Sequence, residues 1–208
     1  MSATSLLYLI LTAIAGIWLS LRLSTTLPKL VKILLGPALG TIILTEIILL
    51  ASLAFGFNKL VIVVSLCIFL ITVGGLRTFL KLKKPVATGK IPILPLIGLL
   101  LLFGSLIGWF FFNKVLSSGE FGLYTGGGGI YGDTALHSAY TMSLVEQGLP
   151  PQNPLFAGIP LVYPFLVNLF SASLVKLGMS LHFAFILPHI LYFVGFITLF
   201  YVIGHRLF

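Results

Sequence analysis

Charge is what this chain has least of. Only four Asp or Glu and twelve Lys or Arg occur in 208 residues, so 8% are charged against 59% hydrophobic. A soluble domain carries about a quarter charged residues. With a mean hydropathy of +1.18, this chain cannot cover a water-facing surface. The single cysteine, Cys67, excludes an internal disulfide, and no Cys/His grouping resembles a zinc site. No basic n-region precedes the first apolar run, so that run reads as a retained span, not a cleaved signal peptide. No aromatic-basic patch accompanies the net charge of +8, which excludes nucleic acid as the partner. The run Gly126 to Gly129 has neither a following Gly-Lys-Ser/Thr nor a preceding strand, so it is no nucleotide loop. Nothing resembles a Ser-His-Asp constellation.

What is present is a set of long apolar runs. Six stretches, near 5–21, 31–55, 60–76, 91–112, 161–177 and 181–204, approach the ~20 residues that cross a ~30 Å hydrocarbon core. Helices are expected, because each segment must satisfy its own backbone in lipid. The expected fold is an all-α polytopic bundle of about six spanning helices. It divides into four N-terminal spans (1–112), an external loop with a juxtamembrane helix (113–160) and two further spans (161–208). The chain stops directly after the last span.

Lys and Arg set the orientation. Arg22, Lys29 and Lys32 lie in the first connection, and Arg77, Lys81, Lys83, Lys84 and Lys90 in the third. The positive-inside bias places both connections in the cytoplasm. The N-terminus and the loop 113–160 are then non-cytoplasmic, with a prokaryotic plasma membrane as the expected location. Arg206 would also fall outside, against the bias.

Three of the four carboxylates, Glu120, Asp133 and Glu146, sit in that one loop. A helix over 133–147, ended by Gly148, would start with Asp133 as its N-cap. At about 100° per residue, Asp133, His137 and Tyr140 share one face. An extended, proline-stiffened strap from Leu149 to Pro154 follows, and Tyr163-Pro164 opens the fifth span. Asp133 at the water–lipid boundary could act as a general base, with His137 orienting it, meeting a phosphate or ligating a metal. Two ligands are too few to assign a metal site, so a divalent metal stays open and no other cofactor is indicated. Glu120 and Glu146 read first as solvated residues. Glu46 is different, since a carboxylate inside a span is expensive and usually faces a bundle interior or cavity. His182 and His189 share a stripe of the sixth span, which suits a helix–helix hydrogen bond. On this topology His182 is cytoplasmic and far from Asp133.

The order Tyr131-Gly132-Asp133-Thr134-Ala135-Leu136-His137, then Glu146 to Pro154, then Leu161-Val162-Tyr163-Pro164, resembles the first large external loop of GT-C glycosyltransferases. These polytopic enzymes take a sugar from a polyprenyl-phosphate carrier. The resemblance covers about a quarter of the chain. Thr134 stands where the family's acidic doublet would have its second member. The resemblance implies sugar transfer from a lipid-phosphate donor at the outer membrane face. Asp133 and His137 would be catalytic, and Tyr140, Tyr163 and Glu146 would contact substrate. The partners implied are the bilayer and a lipid-linked sugar donor, with the oligomeric state left open. The alternatives are a transporter or flippase working through Glu46, or a non-catalytic membrane subunit.

Overall fold

A computed structural model describes residues 2–23, 26–79, 91–126 and 131–208. Helix α1 spans Ala3–Arg22, α2 Lys29–Phe55, α3 Lys59–Phe79 and α4 Ile93–Phe110, the last continued by a π-helical turn, Phe111–Val115. A two-stranded antiparallel hairpin follows, β1 (Leu116–Gly119) and β2 (Gly122–Thr125), then α5 (Tyr131–Gln147), α6 (Leu166–Lys176) and α7 (Leu181–Leu207). The architecture is therefore mostly helical, as expected, with one hairpin added to the loop. Among the described residues, four segments are long and apolar enough to cross a membrane: Ala3–Arg22, Lys29–Phe55, Ile93–Val115 and Leu181–Leu207. The third connection's cluster over 80–90 and the glycines at 127–129 lie outside the described residues.

Local chemistry sets the helix ends. The Ser2 hydroxyl caps α1 by accepting the Ser5 N–H at 3.2 Å. The Asn58 side-chain oxygen does the same for Val61 of α3 at 3.0 Å. Gly56 and Gly148 end α2 and α5 with φ of +77° and +80°, a region that favours glycine. Helix α2 runs unbroken through Gly36-Pro37.

The tightest packing joins α1 to α2. A Cβ placed on Gly16 would lie 2.7 Å from the Gly40 Cα, and one on Gly40 would lie 2.9 Å from the Gly16 Cα. Gly36 and Gly40, four apart, let the two backbones touch, which is how apolar helices associate where no hydrophobic effect separates them from lipid. Leu44, Ile48, Ile62, Phe69, Leu169 and Phe170 form a fully buried core between α2, α3 and α6. Tyr8 of α1 reaches Phe170 at a ring separation of 6.4 Å.

Contacts sort the connections into two ends. At the first, the Ser2 N–H donates to Gly178 O at 3.1 Å and its hydroxyl to Leu177 O at 2.7 Å. Lys176 sits over the Phe57 ring at 5.3 Å. At the second, Arg206 donates to the Thr26 hydroxyl at 2.6 Å and Tyr201 to Pro92 O at 2.8 Å. Arg206 thus joins the basic first connection, which corrects its expected placement on the opposite side.

The reason is α6. It has 11 residues, roughly 16 Å of helix at ~1.5 Å per residue, about half of a ~30 Å core. Leu166 and Val167 at its start share a cavity with Thr45 and Glu46, midway along α2, and with Tyr192 of α7. Its C-terminal end reaches Ser2. Helix α6 therefore starts beside the middle of α2 and ends at the Ser2 end of the bundle. The expected fifth span over 161–177 is replaced by this half-helix. Residues before Phe165 are held out of helix by Pro164 and by a folded strap, where Asn153 N–H donates to Ile159 O at 2.8 Å and Leu161 N–H to Pro151 O at 2.9 Å. His182 consequently lies at the loop end, its ring 6.2 Å from Phe112, and not on the far side.

Candidate functional site

Helix α5 begins at Tyr131, two residues earlier than expected, so Asp133 lies inside the first turn and is not its N-cap. It is exposed there, and no hydrogen bond or ion pair engages its carboxylate among the described residues. A negative side chain in a helix's first turn is favoured by the exposed backbone N–H groups nearby.

One turn later His137 is half-buried against two tyrosines. Its ring meets Tyr140 edge-on at 5.9 Å and Tyr163 edge-on at 5.7 Å, and the tyrosines lie 5.5 Å apart. Tyr140 is buried at 5% exposure, while Tyr163 is 46% exposed. The face that helical periodicity groups on α5 is thus closed by a residue of the strap 23 positions after Tyr140. Ser143 fixes α5 to the strap by donating to Gln152 O at 2.7 Å.

Asn168 of α6 supplies the floor. It is 3% exposed. Its amide nitrogen donates to His137 O at 2.7 Å and to the Thr141 hydroxyl at 3.1 Å, and its oxygen faces His137 Nδ1 at 3.2 Å. His189 belongs to α7. Its Nδ1–H donates to Phe185 O in its own helix at 2.6 Å, and its ring stacks on Phe185 at 4.5 Å. The expected bond from His189 to another helix is therefore not made by Nδ1. Its interhelix partner is the Phe111 ring at 5.9 Å.

Glu146 does not join this group. It is exposed near the end of α5, and nine residues after His137 it points to the opposite face at about 100° per residue. Glu120 is exposed at the hairpin turn. Glu46 is exposed on α2, in a cavity of about 210 Å³ with Thr45, Leu166 and Tyr192. A larger apolar cavity, about 560 Å³, opens between α4 and α7 beside Phe103, Phe196 and Phe200. Among the described residues, no three His, Cys, Asp or Glu side chains come together as a metal site.

The arrangement offers an unengaged carboxylate, an imidazole one turn away and an aromatic wall with one solvent-facing tyrosine. These can accept a proton and hold a flat, partly apolar ligand such as a sugar ring. Asn168 is the residue that sequence reasoning passed over. Its signal was present, since an amide inside the apolar run 161–177 is as costly as the carboxylate that singled out Glu46. No family model matches the chain, and no curated protein or solved structure matches it either.

Proposed function

We propose that this integral membrane protein is a glycosyltransferase of the GT-C kind, moving a sugar from a lipid-phosphate donor onto an acceptor hydroxyl at the non-cytoplasmic face. The observation that carries the reading is Asp133, exposed in the first turn of α5 with no partner among the described residues, one turn from the His137–Tyr140–Tyr163 cluster. In the reaction the acceptor oxygen bonds to the sugar's anomeric carbon as the bond from that carbon to the phosphate oxygen breaks. Asp133 takes the acceptor's proton, and His137 stands where it can meet the leaving phosphate. Tyr163 offers a ring face to the sugar. The end of the bundle that carries Arg22, Lys29, Lys32 and Arg206 faces the cytoplasm on this reading, in the plasma membrane of a prokaryote.

The test is transfer of radiolabelled sugar from polyprenyl-phosphate-sugar in proteoliposomes. Asp133→Asn should lower the rate by about 100-fold or more, the usual contribution of a general base, with the folded fraction unchanged. Undiminished transfer would remove Asp133 from the mechanism.

A transporter or flippase reading is favoured by Glu46, a carboxylate exposed at mid-depth in a cavity with Thr45 and Tyr192. It requires substrate uptake into vesicles that disappears in Glu46→Gln. Uptake that survives this change would exclude it.

A further inference from the structure

The hydrogen bonds around Asn168 constrain more than its own position. Its amide nitrogen lies 2.7 Å from His137 O and 3.1 Å from Thr141 Oγ1. Thr141 donates its own hydroxyl hydrogen to His137 O at 2.9 Å, so Oγ1 is left to accept. Both neighbours therefore need a donor on Asn168. Turning the amide over would set its oxygen against a carbonyl oxygen, two acceptors face to face. The amide orientation follows from its surroundings, and Oδ1 is the atom directed at His137 Nδ1, 3.2 Å away. An acceptor there has a partner only if Nδ1 carries the hydrogen. At 3% exposure, no bulk water is at hand to replace that bond.

From this geometry we infer that Asn168 is a positioning residue that holds neutral His137 as its Nδ1–H tautomer, leaving Nε2 as the basic atom of the site. The opposite tautomer, Nε2–H, is the one a free imidazole side chain prefers, so the environment works against the default. The arrangement parallels histidines whose second nitrogen is used because the first is tied down by a neighbour. Here the tie comes from the first turn of α6, which packs against α5. This inference deepens the transfer reading and rests on it for its use: with Nδ1 tied to Asn168, Nε2 is the nitrogen left for the site, and it donates to the leaving phosphate once it has taken up a proton. It stands on hydrogen-bond geometry alone, however, and can be tested without substrate.

The experiment is nitrogen NMR of the full chain in nanodiscs, with histidine side chains labelled with ¹⁵N at a pH above the imidazole titration. His137→Gln identifies which of the four histidine signals is His137. The wild type should show a protonated Nδ1 and a bare Nε2 for His137. Asn168→Leu should move it toward the Nε2–H form. Thr141→Val should leave it in the Nδ1–H form, because the Asn168 donor to His137 O remains. A His137 signal that is Nε2–H in the wild type overturns the inference, and so does an Nδ1–H signal retained in Asn168→Leu. The wild-type spectrum decides even if that variant does not fold. If the tautomer is as stated while the wild-type protein transfers no sugar in proteoliposomes, the positioning stands and the transferase reading falls.

Discussion

The α1–α2 pair and the α5–α6 pair hold together by opposite means. The first joins two long apolar helices through missing side chains: Gly16, Gly36 and Gly40 let the backbones touch, and no polar bond is needed there. The second joins α5 to the short helix α6 through one buried amide, which bonds to His137 and Thr141 across 31 and 27 positions of sequence. Backbone-to-backbone packing in lipid needs only shape. A buried amide needs particular partners, and it places particular atoms in return. The first pair reads as scaffold and the second as site.

The contrast can be broken most severely at Gly40. Gly40→Leu would drive a side chain into the Gly16 and Thr12 backbone, which cannot give way as a flexible side chain can. A loss of about 3 kcal/mol or more is expected, seen as a collapse of the monodisperse peak in size-exclusion chromatography after mild heating. A variant as stable as wild type would mean the helices do not cross there. Next comes Asp133→Asn, which should cost transfer while the unfolding free energy stays within the range of a surface substitution, about ±0.5 kcal/mol. A large fall in stability would recast Asp133 as part of the frame. Asn168→Leu should be intermediate in stability. It takes the amide donor away from the buried His137 carbonyl and Thr141 hydroxyl, a cost of about 1–3 kcal/mol, read from a thermal melt followed by tryptophan fluorescence. The smallest effect belongs to Glu146→Gln. It lies on the face of α5 away from His137, and both stability and transfer should match wild type; a transfer defect would restore it as a substrate contact.

Much of the site's α5 face was legible in the sequence, because it depends on local periodicity. Asp133, His137 and Tyr140 fall on one face of any helix through them, and Gly148 ends that helix as its type suggests. The same arithmetic should have set Glu146 aside. Tyr163 was legible as the opening of the fifth span and, through the resemblance, as a substrate contact, but its contact with His137 depends on how the segment before α6 folds. The half-helix was misread as a span, since apolar content over 161–177 is the same whether a segment crosses or turns back. What separates the two outcomes is Pro164, which delays the helix to Leu166, and the pairing of 151–153 with 159–161. That reading then placed Arg206 and His182 at the wrong ends of the bundle. The hairpin 116–125 carried only the weak signal of Gly119 and Gly122 flanking a two-residue turn.

The segment that leads into α6 and α6 itself enter and leave the bundle at one end on this account, and the first turn of α6 builds the site with α5. Single cysteines at Ser118, Ser180 and Phe208, in a Cys67→Ser background, can be probed with a membrane-impermeant maleimide on intact cells and on inverted vesicles. Ser118→Cys and Ser180→Cys should label from the same side and Phe208→Cys from the other. Labelling of Ser118→Cys and Ser180→Cys from opposite sides would make α6 part of a full crossing and contradict the shared-end arrangement.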